Sequence, residues 1–210
     1  MNSFSKAFQI YTQNITLSIQ VGDITKIKTD AIVNAAHSKL SCGGGVDGAI
    51  HRAAGHELLD ECLSIPLNKN GNRCEVGEAT ITLAYNLPAK YVIHTVAPSF
   101  VGSSTTNNGV KKYINVHPET EMQLVSCYIR CMELANKCCV RSIAFPSLGT
   151  GGHSFPVEEA APIAIRSVMR PSILTSLSPT INKVMFVLFS QSDYNEYEKI
   201  LKSTRQRYIL

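Results

Sequence analysis

The chain has 210 residues, of which 44% are hydrophobic, so it can bury one substantial core, and we expect a single domain over residues 1–210. Its apolar runs are far too short to span a bilayer and no N-terminal targeting pattern is present, which predicts a cytoplasmic or nuclear protein with no membrane partner. The net charge of +4 comes from dispersed Lys and Arg without an accompanying array of aromatic side chains, so we expect no nucleic-acid partner.

Short runs rich in β-branched and apolar residues predict the strands of an α/β domain. In chain order these predicted strands are Phe8–Tyr11, Ile15–Val21, Ala31–Asn34, Ala79–Leu83, Tyr91–Val96, Ser142–Pro146 and Lys183–Ser190. Tyr91–Val96 and the run Val184–Phe189 are apolar without strict alternation, which is typical of strands covered on both faces. Helices are therefore expected on both sides of the sheet.

Four segments have the spacing of amphipathic helices. They are Asp47–Leu63, Glu119–Cys138, Val157–Met169 and Asp193–Thr204. In the second helix the apolar stripe is expected at Met122, Val125, Ile129 and Met132. Pro162 predicts a kink or an altered start in the third helix. Ser192 is the expected N-cap of the fourth, whose inward face would carry Tyr194, Tyr197 and Leu201.

Two segments rich in Ser, Thr, Asn and Gly, Leu67–Arg73 and Val101–Val116, are interpreted as surface loops. We expect Val101–Val116 to be a solvated insertion, with a mobile rim beside a site as the alternative. The seven cysteines are an odd number, and Cys138–Cys139 are adjacent within a predicted helix, so we expect reduced thiols.

The strand Ala31–Asn34 is followed by Gly43-Gly44-Gly45 and then by a predicted helix. Consecutive glycines let backbone amides approach a ligand closely, and the helix start presents unpaired N–H groups. The turn lacks the Gly-Lys-Ser/Thr ending of a Walker loop, and its contiguous glycines do not form a dinucleotide fingerprint. It is interpreted as a phosphate cradle, with a plain tight turn as the alternative.

A second glycine loop, Ser147-Leu148-Gly149-Thr150-Gly151-Gly152-His153-Ser154-Phe155-Pro156, again lies between a strand and a helix. Ligands of open α/β sheets bind beyond the carboxyl ends of the strands, so two such loops can hold one pyrophosphate from both sides. The alternative is two unrelated flexible turns.

Asp47 and His51 are four residues apart at the predicted helix start, so their side chains share a face beside the first glycine turn. A carboxylate next to bound phosphate is costly, which favours a role in holding or activating water. The alternative is a helix-start residue with a solvated neighbour. His37, Cys42, Asp47 and His51 are all possible metal ligands, but their spacing matches no standard zinc pattern, and we predict no metal.

A long ordered series of motifs then becomes apparent. It comprises Gly22-Asp23-Ile24-Thr25, Thr29 to Ala36, Gly43 to Gly55, Leu87 to Val96, Ile143 to Pro146, the second glycine loop and the last strand. This series covers nearly the whole chain and resembles the macrodomain family, within it the MacroD-type branch. The resemblance implies a three-layer α/β/α sandwich around a mixed sheet, with ADP-ribose in a cleft above the strand ends.

The resemblance also implies roles for individual residues. Asp23 and the Ile24 backbone would recognise adenine, and Phe189 would pack against it. Without the resemblance, Asp23 would be interpreted as a turn or helix-cap residue and Phe189 as a core residue. Around the diphosphate and distal ribose it implies contacts from Asn34, Gly43, Gly44, Gly45, Val46, Ser147, Gly149, Thr150, Gly151, Gly152, His153 and Phe155.

For catalysis the resemblance implies that Asp47 orients a water, that His51 supports it and that Asn34 lines the distal-ribose region. His37 stands where the family commonly has asparagine, in contact with the distal ribose hydroxyls, and His153 stands where phenylalanine is frequent. Because imidazole titrates near neutral pH, these two histidines predict a pH-dependent activity or substrate choice.

The expected activity is hydrolysis of ADP-ribose esters on protein Glu and Asp, with deacetylation of O-acetyl-ADP-ribose as a related reaction. Neither a metal nor an organic cofactor is required. The expected partners of this monomer are ADP-ribose and mono-ADP-ribosylated proteins. The leading alternative is a non-catalytic ADP-ribose reader, and a more distant one is a nucleic-acid-binding protein.

Overall fold

The computed structural model describes residues 8–11, 15–107, 110–169 and 180–208. The strands in these ranges are β1 (Phe8–Tyr11), β2 (Thr16–Val21), β3 (Ala31–Ala35), β4 (Ala79–Leu83), β5 (Tyr91–Thr95), β6 (Gly102–Asn107), β7 (Val110–Val116), β8 (Ser142–Phe145) and β9 (Lys183–Leu188). The helices are α1 (Gly45–Ala54), α2 (His56–Ser64), α3 (Pro118–Lys137), α4 (Val157–Val168) and α5 (Gln191–Tyr208), with a short 3-10 helix at Ile24–Lys26.

A mixed sheet in the order β1-β2-β9-β8-β3-β5-β4 forms the centre of the molecule. The five strands β2, β9, β8, β3 and β5 run parallel to one another. At the two edges of the sheet, β1 pairs antiparallel with β2 and β4 pairs antiparallel with β5. The predicted positions of these strands are confirmed to within two residues. The five parallel strands therefore bring their carboxyl ends to one edge of the sheet, where the predicted site residues follow.

Successive side chains of the central strands alternate between two apolar layers. Ile32 of β3 packs in the cluster that contains Ile50 of α1 and Leu58 of α2. Val33 packs in the opposite cluster, which contains Tyr128 of α3 and residues of α4 and α5. The expected three-layer α/β/α architecture is thus confirmed.

The predicted helix Asp47–Leu63 is wrong as a single element, because Gly55 separates α1 from α2. Gly55 has φ of 98° and ψ of 176°, a conformation that is essentially restricted to glycine. Its N–H caps α1 by donating to the His51 carbonyl at 3.1 Å. The break ends α1 at Ala54 and starts α2 at His56, so Asp47 and His51 both remain on α1.

The apolar stripe predicted for α3 is only partly correct. Met122 is 65% exposed and Val125 and Ile129 are half-buried, whereas Met132 is fully buried. The face that packs on the sheet is instead made by Leu124, Cys127, Tyr128, Cys131, Met132 and Ala135. Two cysteines and a tyrosine contribute to this face as much as the larger aliphatic residues do. None of the seven cysteines forms a disulfide.

Local geometry tests three further expectations, on the cap and the inward face of the last helix and on the start of α4. The helix α5 begins at Gln191, and Ser190, not Ser192, caps it by accepting the Asp193 N–H at 3.0 Å. The inward positions Tyr194, Tyr197 and Leu201 are confirmed. Pro162 lies inside α4, which still starts at Val157 and runs on to Val168.

Val101–Val116 is not an irregular loop. Strands β6 and β7 pair antiparallel as a two-stranded hairpin, with an irregularity in register between Gly102 and Ser103. None of the helices within the described ranges has the combination of length and apolar character needed to cross a bilayer.

Candidate functional site

The residues that follow the parallel strands form one row along the carboxyl edge of the sheet. Asp23 follows β2 and Phe189 follows β9, its neighbour in the sheet. The second glycine loop follows β8, and the first follows the adjacent strand β3. Topology therefore places the two glycine loops side by side, as the sequence predicts, with Asp23 and Phe189 at one end of the row.

The first glycine loop leads directly into α1. Gly44 is the N-cap of this helix without a side-chain cap, and Gly45 has φ of 58°, in the left-handed region that favours glycine. A Cβ added at Gly43 would lie 3.0 Å from Asp47 Oδ2. The glycines are exposed, so the backbone amides at the helix start are accessible to an anion.

The second glycine loop is held by its own hydrogen bonds. Thr150 Oγ1 donates to the Ser147 carbonyl at 3.0 Å, and the Phe155 N–H donates to the Gly149 carbonyl at 3.0 Å. Gly149 has φ of 80°, and Gly151 and Gly152 are exposed, with no described residue other than the chain neighbours within 4 Å of a Cβ added at either position. A hydrogen-bonded base thus supports an accessible tip.

Phe155 differs from the rest of this loop, because its side chain is fully buried against Phe100 with ring centroids 5.3 Å apart. Any ligand contact at this position therefore falls to the backbone. Phe189 shows the opposite behaviour, since its ring is 92% exposed, and the interpretation as a core residue is wrong. Ile24 is buried, and Asp23 Oδ1 accepts from the Thr25 N–H and hydroxyl at 2.9 and 2.7 Å.

Asn34, Asp47 and His51, predicted from separate motifs, come together in a buried cluster beneath the first glycine loop. Asn34 Nδ2 donates to Asp47 Oδ1 at 2.6 Å, and His51 Nε2 lies 3.4 Å from the same oxygen. Neither ring nitrogen of His51 nor the Asn34 Oδ1 atom is aligned with a hydrogen-bond partner in the described part of the chain. Such buried polar atoms carry a cost, which a polar ligand would relieve.

Asp47 remains ionised although it is buried. Burial by itself raises the pKa of Asp47, but the close His51 ring, the Asn34 amide and the Gly43 N–H together hold this pKa below its usual value. A carboxylate in this state is a weak proton acceptor and a strong hydrogen-bond acceptor. It is suited to orienting a water molecule rather than to taking its proton.

The sequence interpretation missed His94, which lies on β5 directly below this cluster. His94 Nδ1 is 3.1 Å from Asn34 Nδ2, and His94 Nε2 is 2.9 Å from Thr82 Oγ1 on β4. Burial lowers the pKa of His94 to about 4, with a further contribution from nearby His51. The available signal was a histidine within the apolar run Tyr91–Val96, where a buried imidazole needs partners on both nitrogens.

One group of candidate metal ligands comes together among the described residues. Atoms of His51, Cys62 and His94 lie within 4.8 Å of one another. This group differs from the possible metal ligands named in the sequence analysis, which include the exposed residues His37 and Cys42. Burial raises the pKa of Cys62 to about 12, which opposes the thiolate that a metal needs. Both His94 nitrogens already have polar neighbours, since Nδ1 lies 3.1 Å from Asn34 Nδ2 and Nε2 lies 2.9 Å from Thr82 Oγ1, so the group is better described as a hydrogen-bonded cluster than as a metal site.

His37 and His153, which differ from the pattern of the family that the sequence resembles, lie at the rim of the candidate site. His37 is exposed, and its Nδ1 accepts the Lys39 N–H at 3.3 Å. His153 Nδ1 is 3.2 Å from Ser99 Oγ, and the His153 carbonyl accepts the Phe100 N–H at 2.9 Å. The hairpin β6–β7 therefore starts beside the second glycine loop, which favours a rim of the site over a remote insertion.

Comparison with known proteins gives a consistent set of relatives. The Macro domain family model matches residues 33–164. A Macro domain-containing protein of Chlorobaculum tepidum is 43% identical over 90% of this chain and 96% of its own length. ADP-ribose glycohydrolase MACROD1 of Mus musculus is 40% identical over 90% of this chain, which spans 52% of the mouse protein. The structure of an Oceanobacillus iheyensis macrodomain with ADP has a TM-score of 0.83 at 38% identity, covering 98% of this chain and all of that one.

Proposed function

Because this chain belongs to the Macro domain family, we propose that it hydrolyses the ester that joins ADP-ribose to a Glu or Asp side chain of a protein. The likeness to an ADP-ribose glycohydrolase supports a hydrolytic activity. The observation that carries the proposal is the buried, ionised Asp47, which Asn34 and His51 hold beside the first glycine loop. O-acetyl-ADP-ribose contains a related ester and is a second substrate.

The row of residues along the sheet edge matches the parts of ADP-ribose. Phe189 offers an exposed aromatic face and Asp23 an acceptor for adenine, and the amides of the two glycine loops bind the diphosphate. The distal ribose then reaches Asn34 and Asp47. This arrangement supports ADP-ribose and mono-ADP-ribosylated proteins as the ligands.

Catalysis follows from the state of Asp47. The carboxylate accepts a hydrogen bond from a water and directs its oxygen at the anomeric carbon of the distal ribose. The water oxygen bonds to that carbon while the bond to the protein carboxylate breaks, and the leaving group departs as an anion without a general acid. The proton released by the water passes to the substrate's own phosphate, and the loop amides stabilise the developing charge.

The test uses a protein that is auto-ADP-ribosylated on Glu and Asp and measures the ADP-ribose released. Asp47→Asn keeps the size of the side chain and removes its charge, so release should fall by about 100-fold or more. Free ADP-ribose should still bind, with a Kd from calorimetry within about tenfold, since the glycine loops are unchanged. Asp60→Asn, on the exposed face of α2, is the matched control and should behave as wild type.

Two results would replace this proposal. If the wild-type protein binds ADP-ribose but releases none, it is a reader of ADP-ribosylated proteins. If RNA competes for the site with steep salt dependence and ADP-ribose does not, the nucleic-acid alternative is correct.

A further inference from the structure

A continuous chain of buried side chains leads from the far edge of the sheet to Asp47. Thr82 on β4 contacts His94 on β5 at 2.9 Å, His94 contacts Asn34 on β3 at 3.1 Å, and Asn34 contacts Asp47 on α1 at 2.6 Å. All four side chains are buried to at least nine-tenths. Four elements thus converge on one carboxylate.

Each hydrogen bond in this chain has a defined direction. The Asn34 atom that faces the Asp47 carboxylate must be the NH₂ group, since an amide oxygen at that distance would be repelled. The same NH₂ faces His94 Nδ1, which must therefore be the unprotonated nitrogen. The ring proton then lies on Nε2 and is donated to Thr82, which at 2.9 Å is a nearer and better acceptor than Cys62 Sγ at 3.7 Å. The Thr82 hydroxyl in turn donates to the Leu83 carbonyl at 3.2 Å.

We infer that His94 is a positioning residue for the hydrolase proposed above, on which this inference rests. Its Nε2-protonated ring fixes the Asn34 amide so that Nδ2 holds Asp47 and Oδ1 is left as an acceptor for a hydroxyl of the distal ribose. Asn34 Oδ1 is buried without a hydrogen-bond partner among the described residues, which is the state expected of an acceptor kept for a ligand. The lowered pKa of His94, due mainly to burial, keeps the ring neutral around pH 7.

The inference predicts a specific defect when this series of hydrogen bonds is interrupted at Thr82. Without the Thr82 hydroxyl, the His94 Nε2–H keeps only a weak acceptor among the described residues, Cys62 Sγ at 3.7 Å, and the ring is no longer held against Asn34. The Asn34 amide then loses its fixed orientation and turns away from Asp47. The distal ribose loses its acceptor and Asp47 loses its donor, while the adenine and diphosphate contacts remain.

The decisive variant is Thr82→Val, which keeps the shape of the side chain and removes its hydroxyl. Thr80→Val is the matched control, since Thr80 lies on the same strand and face and opposite His94 in the β4–β5 register, whereas the hydroxyl next to His94 Nε2 is that of Thr82. We compare kcat with the Kd values of ADP-ribose and of ADP, which lacks the distal ribose. Nitrogen-15 NMR of labelled histidine reports the protonated ring nitrogen of His94.

For Thr82→Val we expect kcat to fall by about 100-fold and the Kd of ADP-ribose to rise several-fold, with the Kd of ADP unchanged. His94→Phe should show the same selective loss, and His94→Gln, which retains one acceptor and one donor, should recover part of kcat. A purely structural role would weaken ADP and ADP-ribose together. If His94→Phe does not fold, Thr82→Val and the wild-type NMR spectrum still decide the question.

Protonation of His94 on Nδ1 in the wild-type protein would overturn the inference, as would equal behaviour of Thr82→Val and Thr80→Val. If the wild-type protein does not hydrolyse the ester, the proposed function fails. The ADP to ADP-ribose comparison and the NMR spectrum still test His94 in that case.

Discussion

The central residue of the candidate site is Asp47, a buried carboxylate that stays ionised. Asp47 lies at the start of α1, where the positive end of the helix favours an anion, and it receives hydrogen bonds from Asn34 and from the Gly43 backbone. Asp47 and His51 were predictable from their spacing of four residues beside a glycine turn. His94 and Thr82 were not, because their roles depend on which strands are neighbours in the sheet, and β4 and β5 pair only in the folded chain.

The buried His94 predicts a loss of stability in mild acid. The pKa of His94 is lowered from 6.5 to about 4, so between these values the unfolded chain takes up a proton that the folded chain does not. The free energy of unfolding should therefore be highest above pH 6.5 and should fall by roughly 3 kcal/mol toward pH 4 from this residue alone.

Urea titrations at pH 7, 5.5 and 4 would measure this effect in wild type and His94→Gln. The glutamine variant should be less stable at pH 7 and should lose less stability on acidification. Parallel pH profiles in the two proteins would contradict the assignment of His94 as a neutral, buried group.

At the scale of elements, the hydrophobic pattern predicted the strands of the main sheet well, because long apolar runs such as Val184–Leu188 have few other places in a fold. The hairpin β6–β7 escaped prediction because its first strand consists of Gly, Ser, Thr and Asn. The signal that was present in the sequence is Asn107-Asn108-Gly109, a combination typical of hairpin turns, followed by Val110–Val116 with the β-branched residues Val110, Ile114 and Val116. The break at Gly55 escaped for a related reason, since a single glycine is tolerated inside many helical patterns.

The separation of α1 from α2 should depend on the glycine at position 55. In Gly55→Ala the added Cβ would require a backbone conformation that L residues avoid and would lie 2.7 Å from both Asn86 Nδ2 and Glu57 Oε2. We expect a loss of about 2–3 kcal/mol in the free energy of unfolding.

Gly71→Ala provides the comparison, because Gly71 also has a positive φ, 74°, but no atom of the described residues other than its chain neighbours lies within 4 Å of its added Cβ. Chemical denaturation should show a smaller loss there, about 1 kcal/mol. A Gly55→Ala protein as stable as Gly71→Ala would mean that the chain can join the two helices in another way.

Across the whole molecule, the proposed ligand site and the residues that anchor the sheet lie at opposite edges. The proposed site occupies the carboxyl edge, whereas Asp30 joins three strands at the amino edge. Asp30 Oδ2 accepts the N–H groups of Arg141 and Ser142 at 2.9 and 3.2 Å, and Oδ1 lies 2.8 Å from Lys90 Nζ. The hydrogen bond with Lys90 is the main reason that the pKa of Asp30 is lowered. The starts of β3, β5 and β8 are thus fixed at the edge opposite the proposed site.

This separation predicts that stability and binding can be changed independently. Asp30→Ala leaves the Arg141 and Ser142 amides without their acceptor, so the free energy of unfolding should fall by about 2 kcal/mol. The Kd of ADP-ribose should stay within twofold of wild type at a temperature where the variant is folded, because the carboxyl edge keeps its register through the β3–β5 and β8–β9 pairings. Asp60→Ala removes an exposed carboxylate of the same type and should change neither quantity. Weaker ADP-ribose binding in folded Asp30→Ala would show that the amino edge controls the spacing of the two glycine loops, and the two functions of the sheet would then be coupled.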